Sequence, residues 1–310
     1  MYNSFAPEGV LYGSAENTEL IRSVAGLRLA QQTKRTVEAV AVSCGRTLDL
    51  KVDLCGMTGI IPYDKTVYSE NGTPPKDIAV ITRVGKPVCF KVTGFTETTD
   101  GETAILSRAD AQRECIDDYL SYLLPGDVIG CRVTHTEKFG AFADVGCGVP
   151  ALLPIDRISV SRISHASDRL RNGMDLRCIV SKTETGPFRL FLTLKEMLGT
   201  WEENAADFTP GQTVRGIVRG VEPYGVFIEL APNLSGLSEY SGDVEPGDEV
   251  AVYIKSIDRR KMKVKLVIVG KQGKAADPGL KYYVGEDVTH VYRFIYSAPG
   301  ALKYMETDFS

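Results

Sequence analysis

Two stretches of this 310-residue chain repeat one pattern at a fixed distance, and that repeat limits the possible folds more than any other feature. The first copy reads LPGDVIGCRVTHTEKFGAFADVGCGVPALLP, from Leu124 to Pro154, and the second reads TPGQTVRGIVRGVEPYGVFIELAPNLSGLSE, from Thr209 to Glu239. Their Pro-Gly starts, Pro125-Gly126 and Pro210-Gly211, lie 85 residues apart. Each copy gives a strand, a short turn, a G-x-F strand, a glycine-containing turn and a third apolar strand. Each also has a back half of two strands around a polar turn, Asn172 to Glu196 in one and Pro246 to Val269 in the other, with Ile254, Ile257, Val264 and Leu266 as apolar positions in the second. Five short strands in about 60–75 residues predict a small closed barrel, because closure removes the exposed edges of so short a sheet.

A more diverged third copy lies upstream. TVEAVAVSCGRTLDLKVDLCGMTGIIP, Thr36 to Pro62, alternates in its first strand, and its GMTGIIP matches GVPALLP at Gly148 to Pro154. GKPVCFKVTGFTETTDGETAILSR, Gly85 to Arg108, matches the back halves, and Tyr63 to Val80, with Asn71-Gly72 and Pro74-Pro75, reads as an inserted loop. Helical spacing places Ile116, Tyr119, Leu120 and Leu123 on one face of a linker from Arg108 to Leu124, which Pro125 ends. Lys195 to Ala206, with Met197, Leu198 and Trp201, forms a similar linker, and Asn17 to Gln32 is a helix candidate with Thr18 as N-cap. The predicted order is an N-terminal extension with a helix (1–32), a degenerate barrel with an inserted loop (33–108), a helical linker (109–124), a barrel (125–195), a helical linker (196–209), a barrel (210–269), then a linker and C-terminal tail (270–310) with a strand-like HVYRFIYSA.

The repeat resembles the S1 RNA-binding domain, a five-stranded barrel of the OB type. The matching residues are PGDVIGCRV, KFGAFADVG at Lys138 to Gly146 and GVPALLP in one copy, and PGQTVRGIV, PYGVFIEL at Pro223 to Leu230 and LSGLSEYS in the other. ILSRADAQRE, Ile105 to Glu114, looks like the last strand of such a barrel running into a linking helix. The resemblance covers roughly residues 33 to 269, and it implies a mainly β fold of three tandem S1 barrels joined by short helices. Tandem S1 domains without a catalytic domain are similar to ribosomal protein S1 in its shorter, diverged bacterial forms. This implies single-stranded RNA, mRNA above all, as the partner, with the small ribosomal subunit as a further one.

The resemblance also implies an RNA face made of two strand-two aromatics, a strand-three histidine and a strand-five basic residue. Phe139 and Phe142 stand at the aromatic positions of one barrel, Tyr224 and Phe227 at those of the other, and Asp49, Leu50 and Lys51 replace them in the first barrel. The strand-three histidine is absent, with Pro154 and Glu239 in its place, and His165 in the following loop is the candidate to approach the same face. The strand-five position falls on Arg189 and Lys263.

Chemistry supports the same residues. Exposed rings stack unpaired bases, each worth about 1–3 kcal/mol. Two rings three residues apart share a strand surface only if the chain bends, which Gly140 and Gly225 permit; the competing reading makes the rings barrel core. Residues 125–195 carry ten basic and seven acidic side chains, net +3, whereas residues 210–269 have eight of each. Within the latter, Arg259, Arg260, Lys261, Lys263 and Lys265 cluster, and Arg132 and Arg219 on the first strands join Arg259 and Lys263 as phosphate-binding candidates; a solvated hairpin is the competing reading.

A formal charge of −4 argues against a strong nonspecific hold on duplex DNA but not against base stacking. No phosphate-loop, metalloprotease or nucleophile-elbow motif occurs, and Asp117-Asp118 reads as linker-helix charge, so no enzyme activity, metal or small-molecule cofactor is expected. Seven cysteines, an odd number without a C-x-x-C pair, read as reduced buried thiols. With no apolar run of membrane-spanning length and no signal-like start in Met1 to Gly9, a cytoplasmic protein with no membrane partner is expected. A protein-interaction scaffold of S1 barrels with reduced RNA binding is the alternative, and an accessory subunit of an RNA-degrading complex a weaker one.

Overall fold

The computed structural model describes residues 5–98, 101–274 and 279–310. The chain is mainly β, and its five-stranded sheets close into barrels. It divides into two compact units. One holds the described residues up to Leu123 with Asp144–Ala151 and Thr183–Arg189, and the other holds Leu124–Ala143, Leu152–Lys182 and Leu190–Ser310.

In the first unit, two helices, α1 (Ala15–Ile21) and α2 (Val24–Gln32), precede the strands β1 (Val37–Cys44), β2 (Leu50–Asp53) and β3 (Thr58–Ile61). A short helix α3 (Asp77–Ile81) leads to β4 (Pro87–Thr98) and β5 (Gly101–Ser107), and α4 (Arg108–Asp118) follows. The sheet closes in the order β1-β2-β3-β5-β4, with β3 and β5 parallel at Gly59↔Ala104. Alternation drives the inward face: Val37, Ala39 and Ala41 of β1, Leu50 and Val52 of β2, and Ala104 and Leu106 of β5 are buried.

The single helix expected over 17–32 is two helices. Ser14, not Thr18, caps the first by accepting from Asn17 N, and Ser23 starts the second by accepting from Gly26 N. The stretch Tyr63 to Val80, read as loop, contains a 3₁₀ turn (Tyr63–Lys65) and most of α3. The linker helix α4 buries Arg108, Ala111, Gln112 and Cys115; of the expected face, Leu120 is buried in the 3₁₀ turn that follows, while Ile116, Tyr119 and Leu123 are half-buried. The reason is charge pairing: Arg108 donates to both carboxylate oxygens of Glu8, at 2.6 and 3.0 Å, and Arg83 adds a contact at 3.3 Å. A buried guanidinium matched by a carboxylate outweighs the apolar face that periodicity favours.

The strands β6 (Val128–Glu137), β7 (Gly140–Asp144), β8 (Pro150–Pro154), β9 (Asp175–Thr185) and β10 (Phe188–Thr193) close in the order β10-β8-β7-β6-β9. After a 3₁₀ turn (Lys195–Leu198), α5 (Trp201–Ala205) begins at a capping box made by Thr200 and Glu203. Then β11 (Thr213–Glu222), β12 (Gly225–Ala231), β13 (Leu234–Ser238), β14 (Asp248–Asp258) and β15 (Lys263–Lys274) close in the order β11-β12-β13-β15-β14. The strand β15 runs to Lys274, into the stretch read as linker, because β14 pairs with it to Asp248↔Lys274; positions 275–278 of that linker lie outside the described residues. The C-terminal segment is part of the second unit's core. Its strands β16 (Arg293–Ile295) and β17 (Glu306–Asp308) pair, Tyr296 and Ala298 are buried in one cluster with Trp201 and Val218, and the Tyr296 hydroxyl donates to Asn233 O at 2.6 Å.

All seven cysteines are free thiols; five are buried, Cys44 is half-buried and Cys55 is exposed.

A buried ion triad ties the loop carrying Arg169 to β12. Arg169 donates to both oxygens of Glu229 at 2.6 and 2.7 Å, and Arg219 to the same carboxylate at 2.8 Å. Burial alone would raise the Glu229 carboxyl, but these two guanidiniums hold it below its ordinary value. Stability linked to a depressed carboxyl is present above the unfolded value, about 4.3, and is lost as pH falls through the folded value. Glu229→Ala leaves two guanidiniums unmatched and is expected to destabilise the second unit by about 3–5 kcal/mol, measured by urea denaturation at pH 7. The variant is also expected to lose less stability than the native chain between pH 5 and pH 3, as ranges of about the titration window.

Candidate nucleic-acid interface

The two ring pairs have the same geometry. Phe139 and Phe142 meet edge to face with centroids 6.0 Å apart and planes at 86°, and Tyr224 and Phe227 do so at 6.1 Å and 87°. Phe139 is 55% exposed, Tyr224 68% and Phe227 36%, which sets these rings on the surface and not in the barrel core. Phe142 is half-buried.

The sharing of one surface comes from a turn. Glu222 pairs with Gly225, so Tyr224 sits in the tight β11–β12 turn, outside the alternation that places Phe227 on β12. The glycine is required by its neighbour across the sheet. Gly225 has φ 155°, and a Cβ there would lie 2.5 Å from Ser238 O; Gly140 has φ 154°, and its Cβ would lie 2.3 Å from Leu153 O. The irregularity in strand pairing falls on β11, between Val218 and Gly220.

That shift explains a histidine the sequence reading passed over. Past Val218 the bulge turns position 220 toward the ring, so Gly220 pairs with Phe227 and a Cβ there would be 3.8 Å from the ring. His135 holds the equivalent place in the other copy. It is exposed and stacks on Phe142 with centroids 4.8 Å apart and planes at 19°. His165 has a local task instead: it is the N-cap of a 3₁₀ turn (Ala166–Asp168), with Nδ1 accepting from Ser167 N at 3.1 Å. Strict alternation would have turned His135 inward, so residue order alone did not reveal it.

A cleft of about 590 Å³ opens beside Tyr224 and Phe227. Lys255, Lys263 and Lys265 bring cations to it, Glu239 brings a carboxylate, and Leu237 adds apolar wall. Lys263, expected as the strand-five cation, is therefore assembled with the ring pair. The other basic candidates lie elsewhere or are engaged. Arg219 is buried in the triad with Glu229. Arg132 pairs across β6 and β9 with both Asp175 oxygens at 2.6 and 3.0 Å. Arg259 is exposed, 3.7 Å from Glu202. Arg189 is exposed near the start of β10. On the same strand, between buried Leu190 and Leu192, half-buried Phe191 lies under Lys182 Nζ, 5.9 Å from its centroid. The alternation of FRLFLT carried that signal.

In the first barrel Lys51 is exposed at the place of Phe142 and Phe227, and Asp49 accepts from Tyr63 N at 2.8 Å. It therefore presents no ring pair at this position.

Comparison with known proteins agrees with the repeat. Small ribosomal subunit protein bS1 of Staphylococcus aureus (strain COL) is 30% identical over 185 residues, 54% of this chain and 47% of that protein. Proteins of the same name from Rickettsia conorii and Leuconostoc lactis are each 30% identical, the first over 70% of this chain and 40% of its own length, the second over 74% and 52%. This chain is a diverged S1-like protein. It spans about half the length, or less, of the curated relatives it matches. No family model matches. A solved multidomain protein with nucleic acid binding domains from Streptococcus pneumoniae overlaps 78% of this chain and 76% of its own, at 13% identity and a TM-score of 0.26. Among the described residues no helix is long and apolar enough to cross a membrane.

Gly225→Ala sets a methyl group against the Ser238 carbonyl at a backbone angle that alanine rarely adopts. It is expected to cost about 1–3 kcal/mol in chemical denaturation. An unchanged midpoint would contradict the close approach.

Proposed function

We propose that this S1-like protein binds single-stranded RNA, mRNA in particular, by stacking bases on the Tyr224–Phe227 and Phe139–Phe142 pairs while neighbouring lysines hold phosphates. The observation that carries the reading is the duplicated ring geometry, with the Tyr224–Phe227 pair opening on a cleft that has Lys255, Lys263 and Lys265 on its walls. Exposed rings lose favourable burial unless a partner covers them, and bases supply flat faces of matching size. The three-domain order read from the sequence, with one S1-type domain per barrel, belongs to the same proposal. So do a cytoplasmic location and a place in translation at the small ribosomal subunit, the latter supported by the name of the bS1 relatives. The chemistry is binding, with no catalytic step. In this reading the first barrel contributes little stacking, since Lys51 stands where a ring would be.

Fluorescence anisotropy with a labelled pyrimidine-rich RNA tests the platform. Removing all four rings (Phe139, Phe142, Tyr224 and Phe227, each to Ala) is expected to weaken binding by about 1–3 kcal/mol for each base that loses its stack. Unaltered affinity would end the stacking reading. The two histidines should separate in the same assay. His135→Ala is expected to weaken binding severalfold, about 1 kcal/mol for a lost stack, and His165→Ala to leave it within about twofold.

A further inference from the structure

We infer that a strand lying on the Tyr224–Phe227 platform continues into a second subsite, built jointly by the β14–β15 turn and the C-terminal segment, where Lys261 and Lys303 hold its next phosphodiesters. The inference rests on the RNA-binding reading and lengthens the path beyond the face that the S1 resemblance implies.

The path is continuous. Ser235 and Met262 line the cleft beside the rings and also line a smaller cleft of about 180 Å³, so the two share a wall. Lys261 and Lys303 both line the smaller cleft, with Asn233 and Ser161 as further polar groups. One lysine comes from the basic turn that the sequence singled out, and the other from a segment far along the chain that the barrel pattern does not include. The ligand class follows from charge: two ammonium groups beside a platform for unpaired bases match the phosphates of the same strand.

The subsite is held in place before any ligand arrives. Leu302 N donates to Arg260 O at 2.8 Å, pinning the segment to the turn that carries Lys261. On the other side of Lys303, Tyr296 N donates to Met305 O at 3.0 Å, and Met305 N donates to the Ser297 hydroxyl at 2.7 Å. Lys303 is thus bracketed by anchored residues, which reduces the ordering cost of binding. Lys261 is 60% exposed, and its ion pair with Asp258 is long, at 3.9 Å, so a phosphate can replace that partner at small cost.

The test uses the full chain carrying Phe139→Ala and Phe142→Ala, so that the other ring pair does not contribute. Labelled oligouridylates of about 4 and about 12 nucleotides are titrated by anisotropy at several salt concentrations. Adding Lys261→Ala and Lys303→Ala is expected to leave the short oligomer within about twofold, since it fills only the platform. The long oligomer is expected to weaken about tenfold at 0.15 M salt, as roughly two lost phosphate contacts imply, and its log–log salt slope to shrink by about 1.4. Circular dichroism melting checks that the exposed substitutions leave the fold intact. Equal affinity and slope for the long oligomer with and without the lysines overturns the subsite. An equal loss for both oligomers also overturns it, because the lysines would then belong to the platform. If instead Tyr224→Ala with Phe227→Ala changes neither oligomer, the platform reading itself fails, and any lysine effect then belongs to a site of another kind.

Discussion

The approach of one backbone to another at the start of the second barrel strand sets the surface on which the rest depends. In both closely matched copies a glycine faces a carbonyl so near that a Cβ would lie 2.3 Å from Leu153 O or 2.5 Å from Ser238 O. In these two copies a side chain there would press on the third strand where the two must pair. With Gly140 and Gly225 in place, the turn before each strand brings Phe139 or Tyr224 beside the ring two residues beyond the glycine, edge to face. In these two copies the ring pair thus follows from the glycine turn, which is why it recurs with nearly the same angle and separation.

Charge is distributed around that surface in two ways. Buried charges are matched internally: Glu229 takes up Arg169 and Arg219, and Glu8 takes up Arg108 and Arg83. These groups fasten segments and are withdrawn from any ligand. Lys255, Lys263 and Lys265 instead line the cleft beside Tyr224 and Phe227. A chain with net charge −4 can therefore present a local cationic track without an overall basic balance.

The first barrel shows that closure and ring presentation are separable. Its sheet has the strand order of the barrel formed by β11–β15, yet Asp49 stands at the glycine position and Leu48, with φ 64°, takes the left-handed conformation one residue earlier. The Asp49 carboxylate accepts from Thr47 and from Tyr63 N, so the turn is held by side-chain hydrogen bonds where the other copies rely on glycine. Lys51 then occupies the outward position. The barrel keeps its core of Leu50, Val52, Ala104 and Leu106 and loses the stacking surface.

Period-two alternation and the 85-residue repeat were enough to read five-stranded barrels from residue order, because burial on one face leaves a local imprint, whereas the ring pairs and the strand-five lysine came from the resemblance to S1 domains. The same local rules passed over His135, which strict alternation from Cys131 and Val133 would turn inward, yet it is exposed and stacks on Phe142. They also offered Arg219 and Arg132 as phosphate-binding candidates, because residue type carries no record of Glu229 or Asp175 folding against them. Nor did they show that Tyr296 and Ala298, separated in sequence from the barrel strands, join the core with Trp201 and Val218. Sequence determined which stretches form strands and where the rings stand along them, because those depend on neighbours along the chain. Only the tertiary structure decided which charges remain available and how far the surface extends, because those depend on partners brought together by folding.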